Sequence, residues 1–143
     1  MTEVLALWPR EAAPWHISPE AKFTGRTEVH VVSAALGVDT MGINALWFEA
    51  GARSRPHVHD GDQVLFYFQG TGLVAIDGGD DQRVETGQFV RLPANRVHMH
   101  GAWPGSEAAH ISLMPATHTT DFDCLVPASW RRYLLDGSPS TGD

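Results

Sequence analysis

The sequence has little cysteine and little lysine, and each shortage excludes a class of protein. Its 143 residues include one cysteine, Cys124, so an internal disulfide and a cysteine-based zinc site are both excluded. We expect Cys124 to be a small buried side chain. Lys22 is the sole lysine, and 10 Lys+Arg against 17 Asp+Glu give a net charge of -7. Nucleic acids and anionic membranes repel such a chain, so neither is an expected partner.

Long apolar runs are also missing. No run approaches the roughly 18–20 residues that a membrane-spanning helix needs. The opening residues Met1-Thr2-Glu3-Val4 lack the basic start of a secretory signal, and we therefore expect a cytoplasmic protein. The length fits one domain, and the hydrophobic and charged shares of 43% and 19% are typical of a globular one.

Short β-rich segments separated by turn residues dominate the middle of the chain. The segments are 27–33, 43–49, 64–69, 73–76, 89–92, 97–100 and 109–114. Breakers such as Gly70-Thr71-Gly72 recur between them at the spacing of all-β sandwiches and barrels. Pro127–Leu135 is the one helix candidate, because proline suits a first helical turn and Trp130 and Leu134 can share an apolar face. We predict an all-β, antiparallel sandwich or barrel with one short C-terminal helix.

Composition divides the chain into three parts. Residues 1–26 contain three prolines and two tryptophans, which predicts an extended arm that packs on the barrel through its indole rings. Residues 27–118 are predicted to form the barrel itself. Residues 119–143 are predicted to add the short helix and a tail, of which Gly137–Asp143 is typical of a loose terminus.

The eight histidines are the unusual part of the composition. Four of them lie in His57-Val58-His59 and His98-Met99-His100, and side chains on a strand alternate faces, so each pair directs two imidazoles to one side. Imidazole is the commonest protein metal ligand, and two such pairs on neighbouring strands can place three nitrogens around one divalent cation. Gln63 follows His59 by four residues. It can either bind the same ion through its amide oxygen or hydrogen-bond a water on that ion.

The spacing around these histidines resembles the two motifs of the cupin superfamily. The matching patterns are Gly51-x5-His57-x-His59-x3-Gln63-x6-Gly70 and Gly87-x5-Pro93-x-Asn95-x2-His98. Gln63 stands where most cupins have Glu, and Asn95 replaces a usual Gly. The resemblance implies a small jelly-roll barrel with one metal inside it. Its implied ligands are His57, His59, Gln63 and His98.

A narrower likeness points to the small bacterial manganese cupins that include hydroxynitrile lyases. It rests on Phe23-Thr24-Gly25, Trp47 to Arg53, His98 to Ala102 and His110-Ile111. The resemblance implies that His100 and His110 line the pocket near the metal in acid/base or orienting roles. It also puts Asn44 and Leu46 on the cavity side. Pro56 replaces the aromatic that usually precedes the first ligand.

The rest of the predicted pocket follows from strand alternation. His110, Ser112 and Met114 alternate along one strand and can line the cavity together, with Met114 as a pocket residue. His100 shares the parity of His98 and is expected inside the barrel, where a neutral imidazole near a cation suits a general base.

Three imidazoles and one amide are all neutral, so a bound divalent ion keeps its full positive charge and is a strong Lewis acid. Nitrogen and oxygen ligands without thiolate suit Mn²⁺, Fe²⁺, Ni²⁺, Co²⁺ or Zn²⁺. The resemblance favours Mn²⁺.

Three functions are compatible with these features. The first is a metal-dependent, non-redox lyase of small hydroxy or carbonyl compounds, hydroxynitrile lyase-like, with His100 and His110 moving or orienting the proton. The second is a mononuclear iron cupin dioxygenase, and the third is a non-catalytic cupin that binds a small molecule. In each case the expected partner is a small molecule, and the resemblance implies a homodimer.

Overall fold

The computed structural model describes residues 3–134, and twelve strands dominate it. The strands are β1 (His16–Ile17), β2 (Phe23–Thr24), β3 (Thr27–Val31), β4 (Met41–Phe48), β5 (Arg53–Ser54), β6 (Val58–His59), β7 (Gln63–Ile76), β8 (Gln82–Glu85), β9 (Phe89–Leu92), β10 (His98–Ala102), β11 (Ala108–Pro115) and β12 (Thr120–Asp121). The helices of the described part are short. They are the α-helix α1 (Val32–Leu36) and 3-10 helices at Arg10–Ala12 and Ala128–Tyr133.

Ten of the strands form one curled antiparallel sheet. Its order is β1-β3-β4-β11-β7-β10-β5-β2, with β8 and β9 also paired to β7, and β6 and β12 pair separately. Every pairing is antiparallel. The sheet curls into a half-barrel, which confirms the predicted all-β, antiparallel class.

Strand β7 joins the two halves of the curl, and here the sequence prediction was wrong. A break was expected at Gly70-Thr71-Gly72, whereas the strand runs through it for 14 residues. Its first half pairs with β9 and β11, and its second half pairs with β8 and β10. Gly70 has φ +68°, and the register to β11 shifts between Ala109 and His110. The glycines therefore bend the strand instead of ending it.

The core lies inside the curl and is built around Tyr67. This side chain is fully buried among Phe48, Leu65 and Leu92. Its hydroxyl donates to the Gly101 carbonyl over 2.8 Å, so the polar end of a large core side chain is satisfied.

The N-terminal arm packs on the outside of β3 and β4. Arg10 donates to the carboxylate of Glu28 over 2.6 Å, and its guanidinium lies 4.3 Å from the ring centre of Trp47. Trp15 donates from Nε1 to the Arg10 carbonyl over 2.8 Å. These contacts attach residues 10–15 to the sheet.

The C-terminal helix is shorter than predicted and of a tighter type. Pro127 precedes a 3-10 helix at Ala128–Tyr133, in which Trp130 is buried beside Met99. Leu135 and the predicted tail Gly137–Asp143 lie outside the described residues. The five-residue α1 was not predicted from the sequence, because it is too short to show helical periodicity.

Two smaller predictions can also be compared with the structure. Cys124 is half-buried, and burial raises the pKa of its thiol. Across residues 3–134, the helices are all too short or too polar to cross a membrane.

Candidate metal centre

A cavity of about 300 Å³ opens into the curled sheet. The two sequence motifs predict five residues at the site, and four of them line this cavity: His57, His59, Gln63 and His100. The fifth, His98, is 1% exposed, and its ring centre lies 4.4 Å from that of His57. The predicted motifs therefore converge on one site.

His57 and His98 face each other across a two-residue bridge. The His57 amide donates to the His98 carbonyl over 3.1 Å, and the His98 amide returns a bond of 2.9 Å. Their ring centres are 4.4 Å apart. The His59 ring lies 4.9 Å from that of His57 and 5.1 Å from that of His98, so three imidazoles form a compact triangle.

Hydrogen bonds on one nitrogen orient all three rings. The Nδ1 atom of His57 bonds the Arg55 carbonyl at 2.8 Å, and that of His98 bonds the Arg96 carbonyl at 3.1 Å. A carbonyl only accepts, so both Nδ1 atoms carry the proton and both Nε2 atoms keep a lone pair. The Nδ1 atom of His59 bonds the Thr120 hydroxyl at 2.9 Å. Outer contacts of this kind typically fix metal-binding histidines.

Three polar atoms of this group have no hydrogen-bond partner among residues 3–134. The Nε2 atoms of His59 and His98 and the Oε1 atom of Gln63 are all buried without a hydrogen bond in the described structure. Gln63 uses its amide nitrogen to donate to the Ser112 hydroxyl over 2.7 Å, which leaves the oxygen free. Buried acceptors are costly unless something binds them. Imidazole nitrogens and an amide oxygen are donor types that divalent first-row metal ions bind.

Burial keeps these imidazoles neutral. It lowers the pKa of His98 to about 4 and the pKa of His57 well below its ordinary value. Burial likewise lowers the pKa of His59. Neutral rings are the form that binds metal, so the site needs no proton release near neutral pH.

A second grouping of histidines shares two of these residues. Ligand atoms of His57, His98 and His100 lie within 4.8 Å of one another. This buried cluster of three histidines can hold a divalent metal ion. Two ligand sets are therefore possible, and both contain His57 and His98. His59 and Gln63 complete the first set, and His100 completes the second.

His100 and His110 lie together, but at different depths. The Nδ1 atom of His100 lies 2.9 Å from the Nε2 atom of His110. His100 lines the cavity, whereas His110 is absent from its wall and packs between Phe48 and Tyr67, with ring centres at 5.2 and 5.0 Å. The expectation that His110 lines the pocket is therefore wrong in position. His110 is 0% exposed and contacts His100, Phe48 and Tyr67.

The predicted pocket residues Asn44, Leu46 and Met114 all lie in the cavity wall, as does Ser112. They come from β4 and β11, whose inward side chains pair across the strands: Leu46 lies opposite His110, and Asn44 lies opposite Ser112. The alternating pattern of β11 predicted Ser112 and Met114, and the family resemblance predicted Asn44 and Leu46.

Nine further wall residues were not found from the sequence, and four of them lie near the histidines or carry charge. Lys22 comes from the arm, and His118, Thr120 and Phe122 come from the segment after β11. Phe122 stacks on His57 with ring centres 4.6 Å apart. Neither segment has strand periodicity around these positions. The one sequence signal was that His118 is among the eight histidines of the chain.

The structure thus combines a curled antiparallel sheet with a buried cluster of three histidines that can hold a divalent metal ion. The family model described as "Cupin domain" matches residues 47–115. A cupin-like protein from Thermotoga maritima is 30% identical, with 72% of this chain and 81% of that chain covered and a TM-score of 0.65. The chain belongs to the cupin superfamily, and the expected cupin jelly-roll fold is confirmed.

More distant structures share the fold. The polyketide cyclase RemF from Streptomyces resistomycificus is 17% identical, with 82% of each chain covered and a TM-score of 0.70. A sugar phosphate isomerase of the cupin superfamily from Silicibacter pomeroyi is 20% identical, with 82% of this chain and 79% of that chain covered and a TM-score of 0.68. A comparison with curated proteins returned no match.

Proposed function

We propose that this cupin is a metal-dependent enzyme, a non-redox lyase that acts on a small hydroxy or carbonyl compound. The observation that supports this most directly is a set of buried acceptors that have no hydrogen-bond partner among residues 3–134: the Nε2 atoms of His59 and His98 and the Oε1 atom of Gln63. If no ion or ligand bound at this site, each of these buried atoms would stay without a hydrogen bond, at a cost of about 1–3 kcal/mol per atom.

The proposed ligands are His57, His59, Gln63 and His98, with Mn²⁺ as the proposed ion. His100 is left out of this set because it lies outside the motif spacing that names the four ligands, whereas Gln63 presents a buried oxygen without a hydrogen-bond partner among the described residues. When bound, the ion supplies Lewis-acid stabilisation of negative charge that develops on a substrate oxygen. Fe²⁺, Ni²⁺, Co²⁺ and Zn²⁺ are alternatives for the same donors.

His100 is the proposed general base. It lines the cavity, and burial lowers its pKa well below the ordinary value, so the ring is neutral and able to accept a proton. In the proposed tautomer, Nδ1 of His100 carries the ring proton and donates to Nε2 of His110, so Nε2 of His100 keeps a lone pair that takes a proton from a substrate hydroxyl and returns it to a leaving group. His110 never reaches the cavity and is a positioning residue in this scheme.

The cavity wall suits a small, partly polar compound. Asn44 and Ser112 offer an amide and a hydroxyl for hydrogen bonds, while Leu46 and Met114 offer apolar surface. A volume of about 300 Å³ is at the small end of ligand pockets. Substrates of a few carbon atoms around a hydroxyl or carbonyl group match this space.

The first test is the metal content of the protein as purified without added metal, for wild type and His57→Ala. We expect a stoichiometric first-row metal in wild type and its loss in the variant, with the surface variant His16→Ala unchanged. The second test is activity: release of benzaldehyde from mandelonitrile, and dehydration or cleavage of small hydroxy acids, without consumption of oxygen.

Two outcomes contradict the proposed enzyme, and a third contradicts the role of His100. Iron-dependent oxygen uptake with a diketone, flavonol or thiol substrate assigns the site to a dioxygenase. An empty wild-type site that resists reconstitution leaves a metal-free, ligand-binding cupin. Full activity in His100→Ala removes the role assigned to that histidine.

A further inference from the structure

The cavity wall carries one permanent charge, and it is positive. The sole lysine of the sequence, Lys22, lines the cavity, and no Asp or Glu is among the wall residues drawn from the described chain. This distribution contrasts with the protein as a whole, which has a net charge of -7. An acidic protein with an uncompensated cation at its cavity attracts anions to that point and repels them elsewhere.

Lys22 is held close to the proposed metal ligands by the backbone. The Arg55 amide donates to the Lys22 carbonyl over 2.7 Å, and the Arg55 side chain donates to the Glu20 carbonyl over 2.8 Å. The Arg55 carbonyl in turn bonds the Nδ1 atom of His57 at 2.8 Å. One residue therefore fixes both the turn that carries Lys22 and the ring of His57.

The Lys22 ammonium itself is available to a ligand. Within residues 3–134, no carboxylate lies within 4.0 Å of its Nζ atom. Its recorded contact is with the ring of Phe122, at 5.8 Å from the centre. Phe122 also stacks on His57, so the ammonium and the histidine cluster contact the same aromatic ring.

We propose that the cavity takes a small hydroxy- or oxo-carboxylate and that Lys22 binds its carboxylate group. The inference rests on the proposed function, because it names the substrate class for the same cavity. A single ammonium matches the single charge of a carboxylate, whereas the wall offers no arginine fork of the kind that favours phosphate esters. The hydroxyl or oxo group then faces the histidine cluster, and the apolar part lies against Leu46 and Met114.

The test compares two ligands of equal shape and different charge, mandelate and mandelamide, by calorimetric titration of the protein as purified. We expect wild type to bind mandelate about fivefold more tightly than mandelamide, as a partly exposed ion pair provides. Lys22→Gln is expected to lose this preference, and Lys22→Arg to keep it. Arg83→Gln, which removes an exposed cation outside the cavity, is the matched control and is expected to keep it.

A direct readout is available because the chain has one lysine. Reductive methylation with ¹³C-formaldehyde keeps the positive charge and gives one lysine side-chain resonance. We expect that resonance to shift with mandelate and not with mandelamide. Equal preference in wild type and Lys22→Gln, an equal loss in Arg83→Gln, or absence of mandelate binding to wild type overturns the inference.

The same titrations separate this inference from the proposed function. If the wild-type protein holds no metal but Lys22→Gln still abolishes the preference for mandelate, the proposed enzyme is contradicted and the carboxylate site stands. If metal is bound and the preference survives in Lys22→Gln, the ion alone selects carboxylates, and the role of Lys22 is contradicted.

Discussion

The Ser112 hydroxyl binds the amide nitrogen of Gln63 and so anchors this side chain beside the histidines. It accepts a hydrogen bond of 2.7 Å from the Gln63 amide nitrogen, and the two residues lie on different strands, β11 and β7, 49 positions apart in the chain. The Oε1 atom of Gln63 is consequently buried and without a partner in the described structure. The neutral amide is thus available to a metal ion through its oxygen. A carboxylate has two oxygen donors and needs no such contact to present one.

This relationship predicts that Ser112→Ala weakens metal binding. Loss of the acceptor frees the Gln63 amide to rotate, and removal of such an outer contact typically lowers metal affinity about 10–100-fold. We expect the lower end of this range, measured by competition with a coloured chelator. Ser129→Ala, which removes a hydroxyl bonded to the Gly78 carbonyl far from the cavity, is the control. Unchanged affinity in Ser112→Ala contradicts Gln63 as a ligand.

The two possible ligand sets give opposite predictions for His59 and His100. If His57, His59, Gln63 and His98 bind the ion, His59→Ala loses the metal and His100→Ala keeps it, because His100 is not a ligand in that set. Elemental analysis of both variants decides between the sets, with His16→Ala as the surface control. Loss of metal in His100→Ala together with retention in His59→Ala assigns the site to His57, His98 and His100.

The histidine part of the site could be predicted from the sequence because strand alternation alone directs His57 with His59 and His98 with His100. Lys22 and Phe122 could not, since they reach the cavity from segments that are not regular strands. What places Lys22 there is a backbone bond from Arg55, 33 residues later, and no local pattern encodes such a contact.

The strands likewise divide into those that could be predicted from the sequence and those that could not. Strands with alternating apolar residues were located to within a few positions, for example β4 and β11. Strand β8 (Gln82–Glu85) was missed because three of its four residues are polar and exposed, and pairing to β7 determines its conformation. The break predicted at Gly70-Thr71-Gly72 failed because glycine serves bends within long strands as well as turns.

Gly72 supports a prediction about stability. A Cβ atom at this position would lie 2.0 Å from the Tyr67 ring, which is fully buried and cannot move aside in the core. We expect Gly72→Ala to lower the free energy of unfolding by about 3 kcal/mol, as overpacking of a tight core does. Gly42→Ala, where a Cβ meets ordinary contacts of 3.7 Å, is the matched control. Denaturant titration of both measures the difference, and equal stability of the two contradicts the packing argument.

Attachment of the N-terminal arm is predicted to depend on pH through Glu28. Burial raises the pKa of this carboxyl, but hydrogen bonds and charges from Arg26 and Arg10 outweigh it and hold the pKa below the ordinary value of 4.5. A depressed folded pKa means that the stabilisation is present above pH 4.5 and is lost as the pH falls through the lower folded value. We expect Glu28→Gln to lower Tm by about 3 °C at pH 7, with the gap to wild type closing in acid. Glu85→Gln removes an exposed pair with Arg83 and is expected to change little. A gap between Glu28→Gln and wild type that stays constant down to pH 3 contradicts the assignment, because it shows that packing, and not the charge on Glu28, attaches the arm.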